Sequence, residues 1–252
     1  MRQRLQSPWS GKEGFVILLS FIGLMAALTY GHMLLIEHTL GFETYLGHGP
    51  RLPPSLLLTS QWLKAVAIVV VLCWLALGRK HLGWRMLGLQ PCRRVWFVWA
   101  TAIPFLALPL MALLTRTLVS AHPAFARFAG SRYGWHDGPP ALMLALVLTT
   151  TLVTPFVEEL FFRGFLFRWL AARRPLWLAV AVSSAMFGAS HIVPAQVIVA
   201  TLMSLALLWL FLKSGSLWPC IVCHIVNNGI GVVLGMAAVA GMLPEAMTPP
   251  AG

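Results

Sequence analysis

The chain has 252 residues, of which 59% are hydrophobic and only 10% charged, with a mean hydropathy of +0.81 and a net charge of +11. Soluble domains carry about 25% charged residues, so this composition excludes an ordinary soluble domain. The basic excess does not point to nucleic acid: the Lys and Arg residues lie in short stretches between apolar runs, where such charges set orientation against a lipid bilayer.

The first apolar run covers about 14–36 and follows a basic N-terminus. It is longer than the roughly 7–15 apolar residues of a cleavable signal, so a retained first span is expected. Six further runs follow at about 55–77, 95–115, 141–162, 176–194, 196–213 and 216–241, near the roughly 20 residues that cross a hydrocarbon core. The fifth and sixth lie close together around Pro194, which leaves one of them open to a re-entrant or tilted course. The expectation is an all-α polytopic transmembrane bundle of about seven to eight spans, forming a single membrane domain over 1–252. Proline pairs at 53–54, 139–140 and 249–250 mark loops or ends. Pro104, Pro109, Pro155 and Pro219 fall in or at the ends of spans, where they kink helices and free backbone groups that neighbours re-satisfy. Segment 165–174 is amphipathic and basic and is expected to continue span four into the interface.

Thirteen Lys and Arg residues fall in the N-terminus, the 78–94 and 163–175 stretches and at Lys213, against Arg51, Arg116, Arg127 and Arg132 on the other side. That bias predicts a cytoplasmic N-terminus. Lys64 stands apart, inside span two. Cys73, Cys92, Cys220 and Cys223 are scattered and mostly within apolar runs, where a thiol behaves as a small hydrophobe; no disulfide framework is expected.

The chain has seven acidic residues, and two of them, Glu158 and Glu159, stand side by side late in span four. A carboxylate at bilayer depth costs about 2.5 kcal/mol or more, which makes such residues candidates for function. Glu159 and Arg163 are four apart with the acid first, the favoured helical ion-pair geometry. Glu158 lies about 100° around the helix and is left to face something else. Two histidines also sit in apolar runs. His191 follows Phe187 by four, and His224 precedes Asn228 by four, so the members of each pair share a helix face.

At about 1.5 Å per residue, Glu158 is ~15 Å from Arg168 and His224 ~12 Å from Ser216, both measured from the same side. His191 comes out deeper, ~22 Å from Leu176, unless its helix is kinked or tilted. These groups suit hydrolysis. A glutamate withdrawn from water is a usable general base near neutrality. A histidine beside it can orient the attacking water, and a second histidine with an asparagine can donate to a developing oxyanion. There is no Gly-x-Ser-x-Gly elbow to suggest a serine nucleophile.

The pattern Glu158-Glu159-x3-Arg163, Phe187-x3-His191 and His224-x3-Asn228 resembles the three motifs of the CAAX-protease and bacteriocin-processing (CPBP, or Abi) intramembrane proteases, related to the eukaryotic prenyl-protein endopeptidase. The resemblance covers roughly 140–240, a motif-bearing catalytic core, with order and internal spacings matched. It implies a helical bundle of about eight spans with a membrane-embedded active site. By position, Glu158 would be the base and His191 its partner on the water. His224 and Asn228 would line the oxyanion site, and Glu159 with Arg163 would brace the helix, with Phe187 in support. It implies no cofactor, and a membrane-anchored, lipidated or otherwise tethered protein or peptide as substrate.

Other readings stand beside it. Glu158, His191 and His224 could hold zinc with an open position for water, although no His-Glu-x-x-His is present. Cys220-x-x-Cys223-His224 fits a haem-attachment pattern but lies in an apolar span. A non-catalytic immunity or peptide-binding member of the same family could use the same pocket, and a transporter could use the glutamates as a proton relay.

Overall fold

The computed structural model describes residues 6–41, 53–121, 138–191 and 194–242. Pro249–Pro250, Arg51, Arg127, Arg132, Arg2, Arg4 and the loop histidines at 48, 122 and 136 lie outside the described residues. The described residues form seven principal helices: α1 (Gly11–Leu40), α2 (Pro54–Lys80), α3 (Val95–Ala121), α4 (Pro140–Ala171), α5 (Leu176–Ala189), α6 (Pro194–Ser214) and α7 (Trp218–Val239). Among them, six are long and apolar enough to cross a membrane, and α5 is not. The fifth expected span, 176–194, is a helix of only 14 residues, about 21 Å at 1.5 Å per residue. It falls short of a ~30 Å hydrocarbon core. The protein is an all-α, multi-pass integral membrane bundle.

Several helices begin where the sequence puts a stop or a cap. Ser10 accepts from the Glu13 backbone N–H while the Glu13 carboxylate accepts from the Ser10 N–H, closing a capping box on α1. Pro54, Pro140 and Pro219 occupy first-turn positions of α2, α4 and α7, where a missing N–H costs nothing. The basic segment after span four continues it without a break, so that α4 runs 32 residues.

α4 is the central helix. Its residues 157–167 are buried on every side, the pattern of a helix surrounded by others. α1 lays one stripe against the bundle, Gly14, Ile17, Phe21, His32 and Ile36, and the Phe21 ring meets Phe161 of α4 at 4.0 Å. α5 packs on α6, and α7 on α3 and α4. Trp74, Val98, Leu106 and Trp177 remain exposed, consistent with lipid-facing positions.

The start of the chain and the end of α4 are tied together by polar contacts. Trp9 Nε1 donates to Ala76 O at 2.6 Å, at the end of a π-helical stretch, Val71–Leu77, in α2. Arg168 donates to Met86 O and to Gln6 O, and Arg173 to Trp9 O. These arginines cap carbonyls of the protein itself. Gly164 sits where an added Cβ would lie 2.9 Å from Leu87 O, which lets the short Trp84–Leu87 turn press against α4.

Candidate active site

α4 is not a uniform helix around the glutamates. It is π-helical over Thr149–Val153 and again over Leu160–Phe167, with an α-helical piece, Thr154–Glu159, between. π-Bulges are frequent at functional sites, and here Pro155 explains one. The Thr154 N–H bonds Thr149 O in π fashion, so the next donor for Thr150 O would be residue 155, which is proline and has none. Asn228 of α7 supplies that donor: its Nδ2 reaches Thr150 O at 3.0 Å. One amide hydrogen of Asn228 is thereby committed to the backbone, and a second remains.

Glu159 and Arg163 form the expected i,i+4 pair, Nη1 to Oε1 at 2.8 Å, both fully buried. Arg163 is held on two further sides. Its Nη2 donates to Ser204 Oγ of α6 at 2.8 Å, and its guanidinium carbon lies 4.1 Å from the centre of the Phe187 ring, a cation–π contact. Glu159 Oε1 also accepts from His224 Nδ1 at 2.9 Å. A carboxylate can only accept, so His224 carries its proton on Nδ1 and turns Nε2 toward Glu158, 3.8 Å from Oε2. Glu159 thus braces the helix and sets the tautomer of His224 at once.

Glu158, one residue earlier, points about 100° around the helix from Glu159. Its two oxygens have different surroundings. Oε1 accepts from Lys64 Nζ of α2 at 2.5 Å. Oε2 is buried with no hydrogen-bond partner among the protein groups described. Lys64 also donates to Ser190 Oγ at 3.3 Å. His191 lies just beyond the end of α5, and its Nδ1 donates to Phe187 O at 3.0 Å, which leaves Nε2 as the acceptor. Phe187 stands edge-on to both histidines, with ring centres 5.2 Å from His191 and 5.6 Å from His224.

Glu158, His191, His224 and Asn228 line one cavity of about 640 Å³, which Phe187 and Lys64 also border. The deeper placement expected for His191 does not separate it from the others. α5 is short, and its end comes level with the glutamate. The cavity continues along apolar side chains, including Met25, Leu57, Met203 and Val232, from α1, α2, α6 and α7. Such a size, with polar groups converging at one part and apolar side chains along another, fits a binding site.

Sequence reasoning missed two residues here. Lys64 is the partner of Glu158, and Gln61, one turn away, bonds Thr150 Oγ1 at 2.9 Å. Lys64 carried a signal: it is a charge inside an apolar span. Gln61 carried none.

Among the described residues no group of three or more His, Cys, Asp or Glu side chains is set to hold an ion. An ammonium occupies one oxygen of Glu158, while each histidine is bonded through Nδ1 and keeps Nε2 available, as a metal-binding histidine also would. Haem attachment finds no support, because Cys220 and Cys223 are buried in the bundle.

Comparison with known proteins gives two matches. The family model for Type II CAAX prenyl endopeptidase Rce1-like proteins matches residues 140–230. The curated protein "Putative membrane peptidase YdiL" of Bacillus subtilis (strain 168) is 24% identical over 103 residues, 41% of this chain and 42% of that protein. The chain thus spans about two fifths of the length of that relative. No solved structure matches the chain. The matched segment, 140–230, holds all three motifs, and this part of the chain is similar to the Rce1-like, CAAX-protease (CPBP) family of membrane proteins.

Proposed function

We propose that the protein is an intramembrane endopeptidase that cleaves a membrane-anchored protein near its C-terminus, with water activated by Glu158 and His191. The observation that carries this reading is the state of Glu158: one oxygen is paired, and the other is buried, unpartnered and beside His224 in a cavity that His191 shares. A water on Oε2 gives its proton to Glu158 as its oxygen bonds the carbonyl carbon, with the acceptor nitrogen of His191 orienting the other hydrogen. The carbonyl electrons move onto oxygen, where His224 Nε2, when protonated, and the second amide hydrogen of Asn228 are the donors that this chain offers from α7. Collapse breaks the C–N bond, and the proton held by Glu158 passes to the leaving nitrogen. Glu159 and Arg163 hold the geometry without entering the reaction. No metal and no cofactor take part.

The apolar side chains along part of the cavity support a lipid-embedded substrate, and the family description supports a prenylated or otherwise tethered one. The charge bias supports a cytoplasmic N-terminus. A second reading, capture of a peptide without cleavage, uses the same cavity. Purified protein in lipid vesicles separates the two: Glu158→Gln and His191→Ala end cleavage of a co-reconstituted substrate while leaving it bound. Substrate that binds the wild type and is never cut supports the non-catalytic reading.

A further inference from the structure

Two groups at the centre come from α2, outside the segment 140–230 that the family model matches. Lys64 stands out because of what it does to Glu158. It occupies Oε1 at 2.5 Å and leaves Oε2 to receive a proton. An ammonium has three donors. In the structure one goes to Glu158 and one to Ser190 Oγ at 3.3 Å, and Ser190 is itself held by its bond to Phe187 O at 2.8 Å. The third donor remains, and the side chain is 16% exposed, bordering the cavity. The opposite wall is less well supplied. Asn228 spends one of its two amide hydrogens on Thr150 O, and His224 has committed Nδ1 to Glu159. Neither carries a fixed positive charge.

We propose that Lys64 is a further catalytic residue, the cation that stabilises the oxyanion formed when a Glu158-bound water attacks the scissile carbonyl. This rests on the endopeptidase reading given above. Water attached to Oε2 and a carbonyl oxygen on the third N–H of Lys64 approach from the two sides of one ion pair, so attack and charge stabilisation share a single frame. As the C–O bond forms, the carbonyl electron pair moves onto the oxygen facing Lys64. As the C–N bond breaks, that pair returns, and the ammonium keeps all its protons throughout. Beside a carboxylate as buried as Glu158, a preorganised charge of this kind counts for more than it would in solution.

The test uses the full-length protein in lipid vesicles and a synthetic peptide carrying whichever bond is cut in cell membranes. Removing one oxyanion donor costs about 100-fold or more in kcat. Lys64→Met is expected to lose about that factor with KM changed by no more than about 3-fold, Lys64→Arg to keep an intermediate rate, and Lys64→Gln, which retains a donor for Glu158 without the charge, to fall near Lys64→Met. Thermal unfolding in detergent checks that each variant is folded; if Lys64→Met is not, the Arg and Gln variants decide by the same criterion. A charge-free variant that keeps kcat, or that changes KM alone, overturns the assignment while Glu158→Gln remains dead. A wild type that cuts nothing Glu158→Gln fails to cut overturns the endopeptidase reading and the role of Lys64 together.

Discussion

Asn228 and Thr150 are 78 positions apart in the chain, yet Asn228 Nδ2 donates to Thr150 O at 3.0 Å. This bond joins the third motif to the π-helical turn that precedes the glutamates. It replaces the backbone donor that Pro155 lacks, so the two residues should be coupled. Asn228→Ala leaves the carbonyl unpaired and is expected to lower stability by about 1–3 kcal/mol. In a Pro155→Ala background, where a backbone N–H returns to that turn, the same substitution should cost clearly less. Thermal unfolding of the four proteins of this cycle in detergent checks it, and equal costs in both backgrounds would contradict the coupling.

Glu159 and Arg163 are fully buried, and each holds more than the other. Removing one partner of such a pair leaves an uncompensated charge and costs about 3–5 kcal/mol. Glu159→Gln and Arg163→Leu are therefore expected to reduce folded protein in membranes sharply. Arg163→Lys should do little better, since a single ammonium cannot reproduce the fork that spans Glu159 and Ser204 while stacking on Phe187. Glu158→Gln, by contrast, should yield near-normal folded protein with no activity. Fluorescence-detected size-exclusion profiles separate the two classes.

Gly188 lets α5 approach α6. A Cβ there would lie 1.9 Å from Thr201 Oγ1 and 2.6 Å from Val197 O. Gly188→Ala is expected to push the helices apart, to destabilise by about 1–3 kcal/mol and to displace His191, three residues on, with loss of most activity. Thr201→Ala in the same protein removes the hydroxyl clash and should recover part of the stability, leaving the contact with the Val197 carbonyl. Activity and unfolding midpoint of the single and double variants report both effects.

The donor set predicts indifference to chelators. With an ammonium on Glu158 and water activated by the carboxylate itself, prolonged treatment with EDTA or 1,10-phenanthroline should leave the cleavage rate unchanged. Loss of activity that added zinc restores would contradict the water-on-glutamate mechanism.

The parts of the site that a sequence can show are those formed by neighbours along one helix. The pair Glu159–Arg163 follows from a spacing of four, and the separate outlook of Glu158 from one residue, about 100°, of helical rotation. His191, His224 and Lys64 are each visible as polar groups in apolar runs that need partners, but the pairing of Lys64 with Glu158 is not. Lys64 is 94 positions away, and no local period links the two. The short α5 was equally hidden: composition runs on apolar to residue 194, while the helix stops at Ala189. That early end puts His191 beside the glutamate. Asn228 was visible as a donor on the His224 face, but its tie to Thr150 depends on the absent N–H of Pro155 acting across two helices.

The most direct measurement compares protein termini in membranes of cells making the wild type or Glu158→Gln at equal levels, by terminal-peptide mass spectrometry. A new terminus that appears only with the wild type, near the C-terminal end of a membrane-anchored protein, is the predicted result, and it identifies the substrate. Identical termini in the two membranes, with both proteins folded, would contradict proteolysis and favour peptide capture in the same cavity.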